Sequence, residues 1–242
     1  MMIFKLIYFE IKNIIRDRLM IFILLYPLII AFVGRYLLTL DDFHEMGVEI
    51  ITVVAVVISG MLFGAIAGFS ILDDRDDHIF VSIAISPLSL KLYIWIKIVF
   101  IYFMSLVSSA IIYLLIGITA LSWLQVIVLA IISGLQVPLH ALIINAFSTN
   151  KVEGFVMMKA TGFLIIFPII GYFFVDVKQW LFAFAPAFWV TKATQSVLMQ
   201  PQIDAGLVDL GLNFWGFAGI GFVYFIILIV LAILKFNRKI FH

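Results

Sequence analysis

The tightest constraint on this chain is a series of six apolar stretches, each long enough to cross a bilayer. They run roughly Leu19–Leu40, Ile50–Leu72, Tyr93–Ala120, Leu124–Phe147, Phe155–Val175 and Phe214–Leu234. About 20 mostly apolar residues in helical form cross about 30 Å of hydrocarbon. Lipid offers no partner to backbone N–H and C=O groups, so each stretch is expected to be a helix; barrel strands would read as alternating segments of about ten residues. Of the 242 residues, 65% are hydrophobic and 12% charged, with a mean hydropathy of +1.25. A soluble domain is about half apolar and about a quarter charged, and a chain of this size has too little interior to hide the excess. A soluble globular enzyme, a disordered protein and a secreted scaffold are therefore excluded. The absence of cysteine removes disulfides, thiolate metal sites and cysteine nucleophiles. A net charge of +1 gives no basic field for nucleic acid.

Charge placement orients the spans. Lys5, Lys12, Arg16 and Arg18 precede the first. Arg75, Lys91 and Lys97 flank the second loop, Lys151 and Lys159 the fourth, and Lys235, Arg238 and Lys239 form the tail. Only Arg35, Lys178 and Lys192 fall on the other side. The positive-inside rule then puts both termini in the cytoplasm of a multi-pass protein of the plasma (inner) membrane. The first span is too long for a signal-peptide core, and no small-residue cleavage site follows it. The third is long enough to be tilted or partly interfacial.

Two segments fall outside that pattern. In residues 1–18, Phe4, Ile7, Tyr8, Ile11, Ile14 and Ile15 recur at helical spacing, away from Lys5, Lys12 and Arg16. This is expected to be an amphipathic interfacial helix, serving as a membrane anchor or as an elbow that also touches a cytoplasmic partner. Between spans five and six, Trp180–Val190 is strongly apolar but too short to cross, and is expected as a re-entrant or outer helical hairpin broken at Pro186. The fold class is thus an all-α membrane protein of six transmembrane helices in one domain covering residues 1–242.

The most conspicuous polar motif follows span two: Asp73, Asp74, Arg75, Asp76, Asp77 and His78. Its four carboxylates could hold a divalent cation, as the DDxxD of prenyl-diphosphate enzymes does, but no second acidic cluster lies on that side to complete such a site. The bland alternative is a solvated helix end. The third reading is docking. The acids lead into a short amphipathic segment with Ile79 and Phe80, stopped by Pro87, suited to lie along the membrane and press on a soluble partner. Gly60, Gly64 and Gly68 form a repeated small-residue face on span two, either for packing within the chain or toward a second subunit or translocation path. Gln136, His140 and Asn145 are polar groups along span four; interhelical hydrogen bonding fits them better than a proton relay, since no span interior carries a carboxylate partner. Lys91, Lys97 and Lys159 lie near the inner boundary, where they can snorkel.

Order of elements now carries a resemblance. Six spans, an interfacial N-terminal helix and the acidic loop running into "ISPLSLKLYIWIK" resemble the type-2 ATP-binding-cassette (ABC) exporter permeases. "NAFSTNKVEGFVMMK", with Asn150, Lys151 and Glu153, is similar to their second cytoplasmic loop, and "FAPAFWVTKA" to their proline-containing outer hairpin. Where many members carry a glutamate-glycine-threonine string, this chain has aspartates. The resemblance implies a permease subunit, not itself an enzyme, paired with a second identical or homologous permease. No GxxxxGK[ST] motif occurs, so ATP and magnesium are expected in a separate P-loop ATPase docked on the first and second cytoplasmic loops, with no cofactor on this chain. The cargo expected is hydrophobic or amphipathic: a drug, a lipid-like molecule or a peptide. The alternatives are a membrane-embedded prenyl-diphosphate enzyme using the DDRDD string, and a passive or proton-coupled carrier.

Overall fold

A computed structural model describes residues 7–8, 11–12, 15–16, 18–37, 40, 45–116 and 120–240. Every regular element among them is helical. The helices are α1 (Arg18–Leu37), α2 (Glu45–Asp76), α3 (Ile79–Ala84), α4 (Leu90–Ile116), α5 (Trp123–Gly134), α6 (Gln136–Phe147), α7 (Lys151–Gly162), α8 (Ile166–Tyr172), α9 (Pro186–Leu198), α10 (Gln200–Asp204) and α11 (Phe214–Ile240). Among the described residues five helical runs are long and apolar enough to cross a membrane: Glu49–Asp76, Leu90–Ile116, Trp123–Phe147, Lys151–Tyr172 and Phe214–Lys239. They coincide with the second to sixth expected spans. Most of the expected interfacial helix lies outside the described residues; within it, positions 7–8, 11–12 and 15–16 are helical.

Two of these runs are interrupted, each just before a proline. Pro138 has no N–H for the Gly134 carbonyl and its ring crowds that carbonyl, so span four breaks at Leu135 into α5 and α6. Pro168 acts likewise in span five, where the 3₁₀ turn Phe163–Ile165 separates α7 from α8. Helix starts are capped by side chains. Ser122 and Gln125 form a reciprocal capping box on α5, and Asn150 accepts from the Glu153 N–H on α7 at 3.0 Å.

At the centre α2 lies against α6, with α4 on its other flank. Gly64 shows why they can approach so closely. A Cβ there would sit 2.7 Å from His140 Cβ and 3.0 Å from the Gln136 carbonyl oxygen. Gly60 meets Ser133 and Gln136, and Gly68 meets Ile144, in the same way. The repeated glycine face therefore packs inside this chain, and the reading that turned it toward a second subunit or a translocation path is corrected. Packing against span four uses the whole stripe.

The outer hairpin also differs from expectation. A 3₁₀ turn (Val177–Phe182) leads to α9, which Pro186 starts at its first turn instead of interrupting. Ala187–Ser196 are all buried. α9 packs on α11 and α8, and Tyr113 of α4 hydrogen-bonds Thr194 at 3.0 Å. An apolar segment too short to span is thus a core helix, since burial in protein satisfies what lipid cannot.

Candidate functional site

One end of the bundle gathers the C-terminal end of α2, α3, the start of α4, the α6–α7 turn and the end of α11. The acidic string is there, but not as one exposed loop. α2 continues to Asp76, so Asp73, Asp74 and Asp76 are helical residues. The expectation of a span ending at Leu72 followed by a loop is corrected: charge ends an apolar count without ending helical hydrogen bonding.

Helical periodicity then divides the acids. Asp74 is 8% exposed, accepts a hydrogen bond from Tyr93 Oη at 2.8 Å and is ion-paired with Lys97. Lys97 is only 2% exposed, so it does not snorkel to the surface as expected; its carboxylate partner holds it inside, with the Tyr93 ring 5.2 Å away. Asp73 pairs with Lys151 at 2.8 Å. Arg75 donates to the Ser148 carbonyl at 2.8 Å. Asp76, Asp77 and His78 face outward. His78 takes a left-handed backbone (φ 58°) that ends α2 and redirects the chain into α3.

These contacts join α2 to α4 and to the start of α7. Two carboxylates of the DDRDD string are consumed by lysines, which argues against the prenyl-diphosphate reading; no group of three metal-ligating side chains occurs among the described residues. In the second loop, Asn150 caps α7, while Glu153 accepts from the Thr149 N–H at 2.6 Å and from its hydroxyl at 2.8 Å.

On α3 the exposed apolar side chains are not the ones expected. Ile79 and Phe80 are half-buried and pack on the core. Val81 and Ile85 project instead, 64% and 89% exposed. A six-residue helix has too few turns for sequence period to fix its rotation; burial of Ile83 and Leu88 against the bundle does so. Ser86 Oγ, donating to the Ile83 carbonyl at 2.8 Å, and Pro87 close the turn before α4. Beside α3 lies an open groove of about 690 Å³, walled by Phe80, Val81, Ala84 and Leu90 with Arg75, Asp76 and Lys239 at its edges.

The polar residues of span four separate into three situations. Asn145 Nδ2 donates across to the Gly68 carbonyl at 2.9 Å and to its own Ala141 carbonyl at 2.9 Å. His140 Nδ1 donates to the Gln136 carbonyl at 2.8 Å, within its own helix. Gln136 is buried and its Nε2 has no partner. Sequence reasoning missed Tyr93 and the inward role of Lys97, and the available signal was that Lys97 is a second cation six residues further into α4 than Lys91, among otherwise apolar neighbours.

At the opposite end Arg35 reaches the Leu115 carbonyl of the last turn of α4 at 3.3 Å, where a cation suits the helix dipole. Lys192 of α9 is enclosed; it donates to the Phe174 carbonyl at 2.6 Å and to Gln195 Oε1 at 2.7 Å. Burial pushes this ammonium down to about 7, against a smaller opposing pull from Asp176.

A sequence profile of the family described as fluoroquinolones export permease protein Rv2686c-like matches residues 10–233. Two similar proteins of Mycobacterium tuberculosis are the fluoroquinolones export permease protein MT2760 of strain CDC 1551 / Oshkosh and its counterpart Rv2686c of strain ATCC 25618 / H37Rv. Each is 24% identical over 204 residues, covering 76% of this chain and 78% of the relative. A bundle of membrane-length helices and a profile match over nearly its whole length place the chain as a multi-pass membrane protein of the Rv2686c-like export permease family, within the type-2 ABC permeases.

Proposed function

We propose that this protein is the membrane subunit of an ATP-driven exporter, with six spans counting α1, both termini cytoplasmic, and a second copy or homologue completing the pore. The ATPase is a separate P-loop protein that docks where Val81 and Ile85 project beside the charged groove. The observation that carries this reading is the construction of that end. A short helix with outward apolar side chains is joined, through α2, to buried contacts with α4 and to the α6–α7 turn. A push on α3 is thereby delivered to four spans at once. The cargo is a hydrophobic or amphipathic molecule; the relatives' name makes fluoroquinolones the first to try.

The test is reconstitution of the chain with its P-loop ATPase in proteoliposomes. Fully burying a side chain of this size contributes about 1.5–3 kcal/mol. Ile85→Asp should therefore abolish both co-purification of the ATPase and cargo-stimulated hydrolysis, while the permease still inserts and elutes as a single species. Unchanged assembly in Ile85→Asp and Val81→Asp would remove α3 as the docking element.

A further inference from the structure

Spans four, five and six enclose a slot that the reading above does not use. Its volume is about 350 Å³, within the range of small-molecule sites. One wall is a single face of α6 from Gln136 through His140 to Phe147; the other is a single face of α11 from Tyr224 through Leu231 to Lys235. Eleven helical rises along each wall, of about 1.5 Å each, make it about 16 Å long. The start of α9 closes the far end, where Tyr224 Oη donates to the Phe184 carbonyl at 2.7 Å.

The slot is mostly apolar, with a cation at one end, His140 and Thr161 along its walls, and Gln136 and Tyr224 at the far end. Lys235 stands at the mouth beside the Phe147 ring, 5.6 Å from its centroid, and no carboxylate pairs with it among the described residues. Lys239 lies one turn further along α11, with Glu153 near enough to offset part of its charge. Midway down, His140 Nδ1 is committed to the Gln136 carbonyl, which leaves Nε2 as the one ring nitrogen able to meet a polar atom of a guest.

We infer that this slot binds an amphiphile with an apolar, rod-like or flat body and one acidic head, the head paired with Lys235 at the mouth. This rests on the exporter reading in taking the guest to be cargo. Membrane lipids with acidic heads share the chemistry, so the test separates the two sources.

The probe is para-benzoylbenzoic acid, a photo-reactive aromatic acid, with its methyl ester as the uncharged control. The full chain is placed in phosphatidylcholine nanodiscs without nucleotide or ATPase, irradiated, and the adducts are mapped by mass spectrometry. The acid should label α6 and α11 along the slot. Lys235→Gln should weaken labelling by the acid about tenfold, as expected for loss of a charged partner, and leave labelling by the ester unchanged; Lys235→Arg should restore the acid. Leu228→Trp, checked for monodispersity, should block both.

Adducts elsewhere, or equal loss of acid and ester in Lys235→Gln, would overturn the site. The lipid arm repeats labelling with phosphatidylglycerol present. Persistence of the acid's adducts supports cargo. Displacement, with phosphatidylglycerol retained by the wild type and lost from Lys235→Gln in native mass spectrometry, would overturn the cargo assignment. Because no ATPase is present, failure to recruit one would sink the exporter reading while leaving slot labelling intact.

Discussion

The division of the acidic string can be tested by charge removal at one position. Asp74→Asn keeps the shape and can still accept the Tyr93 hydroxyl, but it takes away the carboxylate set against Lys97. The ammonium then lies inside the bundle, 2% exposed, opposite a neutral amide. Breaking a buried pair in this way costs about 3–5 kcal/mol. For a chain of this length each kcal/mol moves the midpoint by about 2–4 °C, so a fall of about 10 °C is expected. Asp77→Asn, at an exposed position, should stay within about 0.5 kcal/mol of wild type. The double variant Asp74→Asn with Lys97→Met removes both charges and should regain most of the loss, since an apolar replacement for a buried pair is often neutral. The assay is the monodisperse fraction of tagged protein in detergent after heating. Coincident curves for Asp74→Asn and Asp77→Asn, or a double variant no better than the single, would refute the argument.

Three further outcomes follow from other parts of the bundle. Gly64→Ala places a Cβ 2.7 Å from His140 Cβ and 3.2 Å from Val137 Cα, an overpacking of about 1–3 kcal/mol, whereas Gly219→Ala, in open space, should be neutral or stabilising by about 0.5–1 kcal/mol in the same melting assay. Lys192 titrates near 7 when folded and near 10.5 when unfolded. The unfolded chain holds the extra proton between those values, so stability should rise with pH across that window; Lys192→Met should flatten the dependence. Ile85→Cys, in a chain with no native cysteine, should resist an impermeant maleimide in intact cells and react once they are opened; labelling of intact cells would overturn the proposed topology.

Much of the architecture was local and hence legible. Five of the six apolar runs coincide with membrane-length helices among the described residues, because the length requirement and the need to satisfy every backbone group act within each segment. Pro138 and Pro168 interrupt their spans for reasons contained in a single turn. Asn150 and Glu153 begin α7 by a capping pattern that can be read from the sequence alone. The order of elements, from acidic string through proline-ended amphipathic segment to outer hairpin, is by itself enough to suggest the permease family.

What tertiary structure decided is rotation and partnership. Nothing in the sequence says which aspartate faces inward; the answer depends on α4 presenting Lys97 and Tyr93 to Asp74, across 23 and 19 residues of chain. The glycine stripe could have faced any neighbour, and only its contact with α6 assigns it. In α3, packing of Ile83 and Leu88 turned Val81 and Ile85 outward in place of Ile79 and Phe80. The hairpin helix α9 became core, and a slot closed between α6 and α11, because each needs side chains from segments far apart in sequence. An apolar residue favours burial against any apolar surface equally; which surface it meets is settled by how whole helices fit together.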